Sequence, residues 1–274
     1  MIPLIPHDRP RLLTLLRTRI EVNVFLLSVL HRAGNRPDTL TTDGVFYGSP
    51  TSGALKAVVY ATPGGLMVPF ALAPEPVAAI GRELRGRTAG RILVGPRAEV
   101  DALWSALALP TVPRIRRAHR LYRLQAGMLT LPADPDVRPA RPRDLETCID
   151  FAARMQGEEL GIDPRSVDER RFRRRINGLV ADELLYVLPV GDTNGFQASA
   201  SSYCPDGTQV EAVFTPPWLR GRGWATRGLT GMCDLLLQRF PTVTLHVNEA
   251  NHAAVRLYER IGFEEAAPFR LVSA

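Results

Sequence analysis

A glycine-rich run between a predicted strand and a predicted helix constrains this chain more than any other segment. The run reads RGRGWA over residues 220–225. Before it, residues 210–215 have the composition of a strand, which two prolines then end because proline cannot donate to a sheet ladder. After it, apolar residues recur at helical spacing, among them Leu229, Cys233 and Leu236. A glycine-rich turn that leads into a helix N-terminus presents unpaired backbone N–H groups, so the segment predicts a phosphate-binding site.

A second motif is needed to interpret this turn, because it lacks the lysine of a Walker loop and the third glycine of a dinucleotide fingerprint. That motif reads LHVNEAN over residues 245–251 and continues through Ala254, Tyr258 and a Gly-Phe pair at 262–263. The two motifs, in this order, resemble the GNAT superfamily of acyl-CoA-dependent N-acyltransferases. The resemblance covers about residues 136–274, which is half of the chain.

The resemblance implies that the turn holds the pyrophosphate of acetyl-CoA, a co-substrate, and that no metal ion is required. Gly221 and Gly223 carry no Cβ atom, so a pyrophosphate can approach the backbone closely. In the family, the strand before the turn pairs with the pantetheine arm, and one of its N–H groups faces the thioester oxygen. The cofactor-binding residues implied are Val213, Phe214, Thr215, Arg220, Gly221, Arg222, Gly223, Trp224, Ala225, Thr226 and Asn251. Asn251 is also suited by residue type to cap the helix that follows it.

The resemblance also implies catalytic roles. Tyr258 is the expected general acid for the departing thiolate, because a phenol with a pKa near ~10 keeps its proton at neutral pH. Packing between a helix and the sheet is the alternative role of this tyrosine. The general base is open between Glu211, on the first motif strand, and His246, at a strand position where some family members carry a glutamate. A structural histidine is the alternative interpretation of His246.

Two further carboxylates are candidate substrate-binding residues. Glu158 and Glu159 lie in a predicted loop over residues 157–164, which in the family lines the acceptor pocket. They are expected to bind a cationic amine or to act through water. An exposed acidic loop without a function is the alternative.

The order of predicted elements indicates two domains with an α/β, mixed-sheet, tandem GNAT-like fold. A segment with two prolines and two aspartates at 131–136 is the expected linker, so the domains are residues 1–133 and 134–274. The first half begins with a predicted amphipathic helix from about Arg11 to His31 and then follows a similar order of elements. It reads Ala-Pro-Glu-Pro where the phosphate turn belongs. Proline has no N–H group and glutamate is anionic, so this half is expected to be degenerate and not to bind pyrophosphate.

The chain has 274 residues and a formal net charge of +6, which is unevenly divided. Residues 1–133 contain 17 Lys+Arg and 8 Asp+Glu, a net charge of +9, whereas residues 134–274 contain 17 and 20, a net charge of −3. A solvated, arginine-rich surface is the favoured interpretation of the first half. A binding site for nucleic acid or for an acidic partner is the alternative.

No apolar run reaches the roughly 18–20 residues that a membrane span needs, and the N-terminus lacks a signal-peptide pattern. The three cysteines have no metal or redox spacing, which favours a cytoplasmic protein. The resemblance to the GNAT superfamily implies an N-acetyltransferase that transfers an acetyl group to an amine acceptor, a small molecule or a protein amine, by direct attack in a ternary complex. A longer acyl-CoA donor and a homodimer remain open. The alternative from another class is a non-catalytic acyl-CoA-binding regulator whose basic first half contacts nucleic acid.

Overall fold

A computed structural model of the chain describes residues 3–34, 36, 38–87, 90–110 and 112–274. Both halves contain a helix pair, three strands, a helix, a strand, a helix and a last strand, which confirms the predicted repeat of element order. The first half comprises α1 (Arg9–Leu16), α2 (Ile20–Ala33), β1 (Val45–Ser49), β2 (Ala57–Ala61), β3 (Leu66–Ala71), α3 (Glu75–Leu84), β4 (Ile92–Pro96), α4 (Arg97–Leu107) and β5 (Ile115–Gln125). The second half comprises β6 (Arg138–Pro139), α5 (Leu145–Leu160), α6 (Pro164–Ala181), β7 (Leu185–Val190), β8 (Thr193–Cys204), β9 (Gly207–Phe214), α7 (Trp224–Leu237), β10 (Thr242–Asn248), α8 (His252–Ile261) and β11 (Glu264–Ser273).

Two predicted segments differ from the structure. The helix expected from about residue 11 to 31 is two helices, α1 and α2, separated by a 3₁₀ turn over Arg17–Arg19. The Asn23 side chain donates to the backbone oxygens of Leu16 (2.9 Å) and Arg19 (3.1 Å), which satisfies carbonyls at the break. The prediction of a loop over residues 157–164 is also wrong, because α5 extends to residue 160. Its C-cap is Gly161, whose φ is 71°. A glycine in this left-handed conformation is a common way to end a helix.

The strands of the described residues form one mixed sheet of 11 strands, in the order β1-β2-β3-β4-β11-β5-β10-β9-β8-β7-β6. Each half contains one parallel pair linked through a helix, β3 with β4 and β9 with β10. The last strands of the two halves are exchanged: β5 of the first half lies between β10 and β11, and β11 of the second half lies between β4 and β5. The sequence motifs did not predict β11 or this exchange. The two halves therefore share a continuous sheet.

The exchange brings the basic half against the acidic half. Arg17 pairs with Asp206 at 3.0 Å, and Arg120 pairs with Glu265 at 3.3 Å. These side chains are partly exposed, so each pair contributes at most about 1 kcal/mol to stability. These contacts nevertheless give the uneven charge a structural role within the chain. The boundary at residues 133 and 134 falls in a segment without helix or strand and stays a prediction.

Helices cover both faces of the sheet. Leu121 and Tyr122 are consecutive on β5 and therefore point to opposite faces. Leu121 packs in the core that α1 and α2 form, together with Phe269 of β11. Tyr122 packs in the core that α7 and α8 form, together with Tyr258. Within the described residues, no helix combines the length and apolar character that a membrane span requires.

Candidate active site

The strands β9 and β10 diverge in the middle of the sheet. Their parallel ladder aligns Thr208 with Val243 and ends where Val210 aligns with Leu245. Beyond this point β10 remains paired with β5 as far as Asn248, and β9 remains paired with β8. In the described part of the chain, the two facing edges thus have no ladder partners across the split. Such edges can pair with an extended ligand as an added strand does.

A β-bulge lies on β9 directly beside this split. Gln197 aligns with Phe214 and Ser199 with Glu211, so two steps on β8 oppose three on β9. Ala212 takes up the extra residue with a φ of 55°. A bulge bends its strand and changes the direction of the local N–H groups. The sequence carried no signal for it, because alanine is not among the residues enriched at positive φ.

The glycine-rich turn has the geometry of an anion site. Gly221 and Gly223 have φ values of 73° and 81°, and a Cβ atom added at either would meet no atom within 4 Å. Gly223 is the N-cap of α7, which begins at Trp224. The N–H groups of the first helical turn have no intrahelical acceptor and point towards the turn. These residues fit a phosphate-bearing co-substrate.

Arg220 is tied to the end of α5. Its Nη2 lies 2.9 and 2.7 Å from the two carboxylate oxygens of Glu158, and its Nε donates to the backbone oxygen of Thr215 at 2.9 Å. The guanidinium also lies 5.6 Å from the centre of the Phe214 ring. The structure therefore joins a predicted pyrophosphate residue to a predicted substrate residue. Glu158 orients Arg220 and closes the turn against α5.

The other predicted residues of the turn have structural contacts as well. A Cβ atom at Gly195 would lie 2.6 Å from the Trp224 ring, so this indole packs directly on the β8 backbone. Phe214 packs against Phe151 with ring centres 5.4 Å apart. Val213 packs on the α7 and α8 core, whereas Arg222 is exposed. Ala225 and Thr226 lie in the first turn of α7.

Asn251 caps α8. Its Oδ1 accepts from the N–H group of Ala254 at 3.1 Å. This is the capping role that its residue type suggested, and it is typically worth about 1 kcal/mol. The side chain is exposed, so the cap leaves its amide group accessible.

Tyr258 is buried on the α7 and α8 side of the sheet, with 6% of its surface exposed. Its ring centre lies 6.2 Å from that of Tyr122 and 6.0 Å from that of Phe263. Burial raises the pKa of its phenol well above the ordinary value, and the nearby charge of Glu159 raises it further. Burial also raises the pKa of Glu159, although the positive charge of Arg117 opposes this effect. Tyr258 therefore holds its proton at neutral pH.

Glu211 and His246 are connected through one amide. The Glu211 carboxylate accepts from Ser201 Oγ at 2.9 Å, Ser202 Oγ at 3.3 Å and Gln209 Nε2 at 2.7 Å. The other amide atom of Gln209, Oε1, lies 3.1 Å from His246 Nε2. A carboxylate can only accept, so the Gln209 amide nitrogen must face Glu211 and its oxygen must face the ring. His246 therefore carries its proton on Nε2 and has a lone pair on Nδ1.

His246 is a neutral side chain at physiological pH. Burial lowers the pKa of its imidazole to about 4. Its ring lies 5.0 Å from that of Phe269. An imidazole with so low a pKa is a weak proton acceptor near neutrality.

The candidate acid and the candidate bases lie on opposite faces of the sheet at the split. Tyr258 belongs to the core of α7 and α8, whereas His246 packs against Phe269 on the side of α1 and α2. Glu211 and His246 directly follow the last paired residues, Val210 and Leu245. A ligand that occupied the split would therefore have the tyrosine on one side and the carboxylate on the other. Among the described residues, no cluster of His, Cys, Asp and Glu has an arrangement that could hold a metal ion.

Comparisons with known proteins agree with this architecture. The family model described as FR47-like protein matches residues 194–271, and a domain of unknown function (DUF4081) matches residues 44–148. No curated protein is significantly similar to the chain in sequence.

Many solved structures share the fold, and three illustrate it. A Drosophila protein aligns over 100% of this chain and 98% of its own with a TM-score of 0.69 and 13% identity. A GCN5-related N-acetyltransferase from Kribbella flavida aligns over 93% and 95% with a TM-score of 0.57 and 14% identity. A tandem GNAT protein from the clavulanic acid biosynthesis pathway aligns over 100% and 97% with a TM-score of 0.51 and 14% identity. The chain therefore has the fold of the GNAT acetyltransferases among these structures, and its residues 194–271 match the FR47-like family model.

Proposed function

We propose that the protein is an N-acetyltransferase that moves an acetyl group from acetyl-CoA to an amine acceptor by direct attack in a ternary complex. One observation carries the proposal. The split between β9 and β10 lies beside a glycine turn at a helix N-terminus, with Tyr258 on one side and Glu211 on the other. This arrangement provides a site for a phosphate-bearing thioester, a proton donor and a carboxylate in one region of the sheet.

The acetyl thioester of the co-substrate supplies an activated acyl group. The amides at the start of α7 and the open surface of Gly221 and Gly223 would bind its pyrophosphate, with Arg220 held beside them by Glu158. The free edge of β9 from Glu211 to Phe214 would pair with its extended arm. The bulge at Ala212 turns backbone N–H groups at this edge, which suits them to donate to a carbonyl oxygen.

Two proton transfers complete the reaction. The attacking nitrogen forms the new C–N bond as the C–S bond breaks, and it must lose a proton, which Glu211 accepts. The departing sulfur must gain a proton, which Tyr258 donates because burial keeps its phenol protonated. Gln209 holds the carboxylate in position, and the contact of its amide oxygen with His246 fixes the orientation of that amide.

The proposal is tested by calorimetry with CoA and by thiol release from acetyl-CoA against a panel of amines. We expect one CoA site per chain, and Gly223→Val should abolish it. Because Gly223 has a φ of 81°, valine also strains the backbone, so Gly127→Val, at a φ of 83° and with equally open space, is the matched control. Wild-type CoA affinity in Gly223→Val would contradict the proposed site. CoA binding without thiol release for any amine would favour a non-catalytic regulator.

A further inference from the structure

A cavity of about 260 Å³ lies between α2, the strands β3 and β4, and the strands β9, β10 and β11. Both halves of the chain therefore contribute to it. Most of its walls are apolar, and the rings of Phe25 and Phe269 and the side chains of Val68 and Val94 are examples. Its volume lies just below the roughly 300–1,000 Å³ of pockets for drug-sized ligands, so it suits a small molecule.

The cavity opens where the strands diverge. Glu211 and His246 both line it, and they are the first residues beyond the paired positions of β9 and β10. A molecule bound in the cavity would consequently lie beside the split that we assign to the thioester. This position is suitable for an acceptor that attacks the acyl group.

The charge of the cavity favours a cation. Of the described residues that line it, Glu211 is the one with a formal charge at neutral pH, because His246 is neutral. Neither lysine nor arginine lines the cavity, so a carboxylate on the ligand would meet apolar walls and the Glu211 charge without a counter-ion. Burial of an unpaired charge of this kind is strongly unfavourable.

A second acceptor lies on α2. Asn23 is 1% exposed and lines the cavity, and both hydrogens of its amide nitrogen are used by the Leu16 and Arg19 carbonyls. Its Oδ1 is buried and has no hydrogen-bond partner among the described residues. An unpaired buried carbonyl oxygen costs about 1–3 kcal/mol, which an N–H donor on a ligand would recover. A primary ammonium group has three N–H donors, enough for both Asn23 Oδ1 and Glu211, and it releases one proton to solvent before the neutral amine attacks the thioester.

We propose that this cavity is the acceptor site and that it selects small primary amines with an apolar aliphatic or aromatic body and no carboxylate. The proposal rests on the proposed acetyl transfer and specifies its substrate class. Asn23, from the degenerate half, is then a specificity-determining residue of the active half. The first half completes the acceptor site instead of binding a cofactor of its own.

Calorimetry on the full chain with free CoA present tests this proposal without turnover. The probes are 2-phenylethylamine, its carboxylated counterpart phenylalanine, and N,N-dimethyl-2-phenylethylamine, which has one N–H donor. We expect the primary amine to bind and the other two to bind at least about tenfold more weakly. The dimethyl amine has too few N–H donors for both acceptors, and phenylalanine adds a carboxylate that the cavity leaves unpaired. Equal affinity for phenylalanine and 2-phenylethylamine would overturn the proposal.

Substitutions in β3 and β2 locate the binding. Val68→Ala enlarges the cavity and should shift the ratio of affinities towards a naphthylethylamine by roughly tenfold. Val59→Ala removes the same atoms from a buried position on the neighbouring strand, outside the cavity, and should not change this ratio. Identical ratios in the two variants would overturn the location.

Thiol release measured in parallel separates the two proposals. Binding with the expected selectivity but without thiol release would leave the cavity assignment intact and refute acetyl transfer. Acetyl transfer to amines that do not compete for binding in the cavity would support acetyl transfer and refute the assignment of the cavity as the acceptor site.

Discussion

The buried His246 predicts a measurable dependence of stability on pH. In the unfolded chain the imidazole has a pKa of about 6.5, whereas in the folded protein burial lowers this pKa to about 4. Between these values the unfolded state binds more protons, so the free energy of unfolding falls as the pH falls. The contribution of His246 to the free energy of unfolding is complete above the unfolded pKa and is lost as the pH falls towards the folded pKa.

The magnitude follows from the two pKa values. At about pH 5.5 the unfolded chain has roughly ten protonated imidazoles for each neutral one. The free energy of unfolding is therefore about 1.4 kcal/mol lower than at about pH 7.5. Burial lowers the pKa of His119 to about 4 as well, and the charge of His246 is a further cause, so His119 adds to the loss in wild type. His246→Gln should lose about 1.4 kcal/mol less over the same range.

Urea unfolding at the two pH values measures this difference. His7→Gln is the control, because it makes the same substitution at an exposed position. Since the comparison is between pH values for each variant, any general destabilisation by His246→Gln cancels. The reasoning would be refuted by an equal loss of stability in wild type and His246→Gln, because the ring would then titrate alike in both states.

Three further predictions concern catalysis, capping and the strand exchange. Tyr258→Phe should lower kcat by roughly 10²–10³ and leave the acetyl-CoA Kd unchanged, since it removes one hydroxyl that acts in the transition state; an unchanged kcat with chemistry rate-limiting would leave this tyrosine a packing role. Asn251→Ala should cost about 1 kcal/mol in urea unfolding through the lost α8 cap, whereas Asn251→Asp should retain it. Because β5 and β11 are exchanged, the fragments 1–133 and 134–274 should each fail to unfold cooperatively alone and should recover CoA binding when refolded together; full CoA affinity in the second fragment alone would contradict this expectation.

The local part of this fold was predictable from the sequence. The glycine turn leads into α7 as expected, and Tyr258 lies on the expected helix. These features depend on neighbouring residues, such as the two prolines that end β9 and the asparagine that caps α8. Apolar periodicity failed at residues 17–19, because the pattern continues across the 3₁₀ turn while Asn23 satisfies the broken backbone.

The long-range part was not predictable from local patterns. The position of β11 between β4 and β5 depends on partners far away in the chain. The bulge at Ala212 has no residue signature, and the link from Glu211 to His246 depends on Gln209. The sequence identified Glu211 and His246 separately, but only the folded sheet shows that one amide connects them. The cavity between the halves likewise appears only once the strands are exchanged.

Detection of the product by mass spectrometry tests acetyl transfer most directly. The full chain is supplied with isotopically labelled acetyl-CoA and a primary amine, and the free thiol is quantified in the same reaction. The account predicts one labelled N-acetyl product for each thiol released, dependence of both on the amine, and a large loss of both in Tyr258→Phe. Thiol release that is independent of the amine, or CoA binding with no labelled product for any amine, would contradict it.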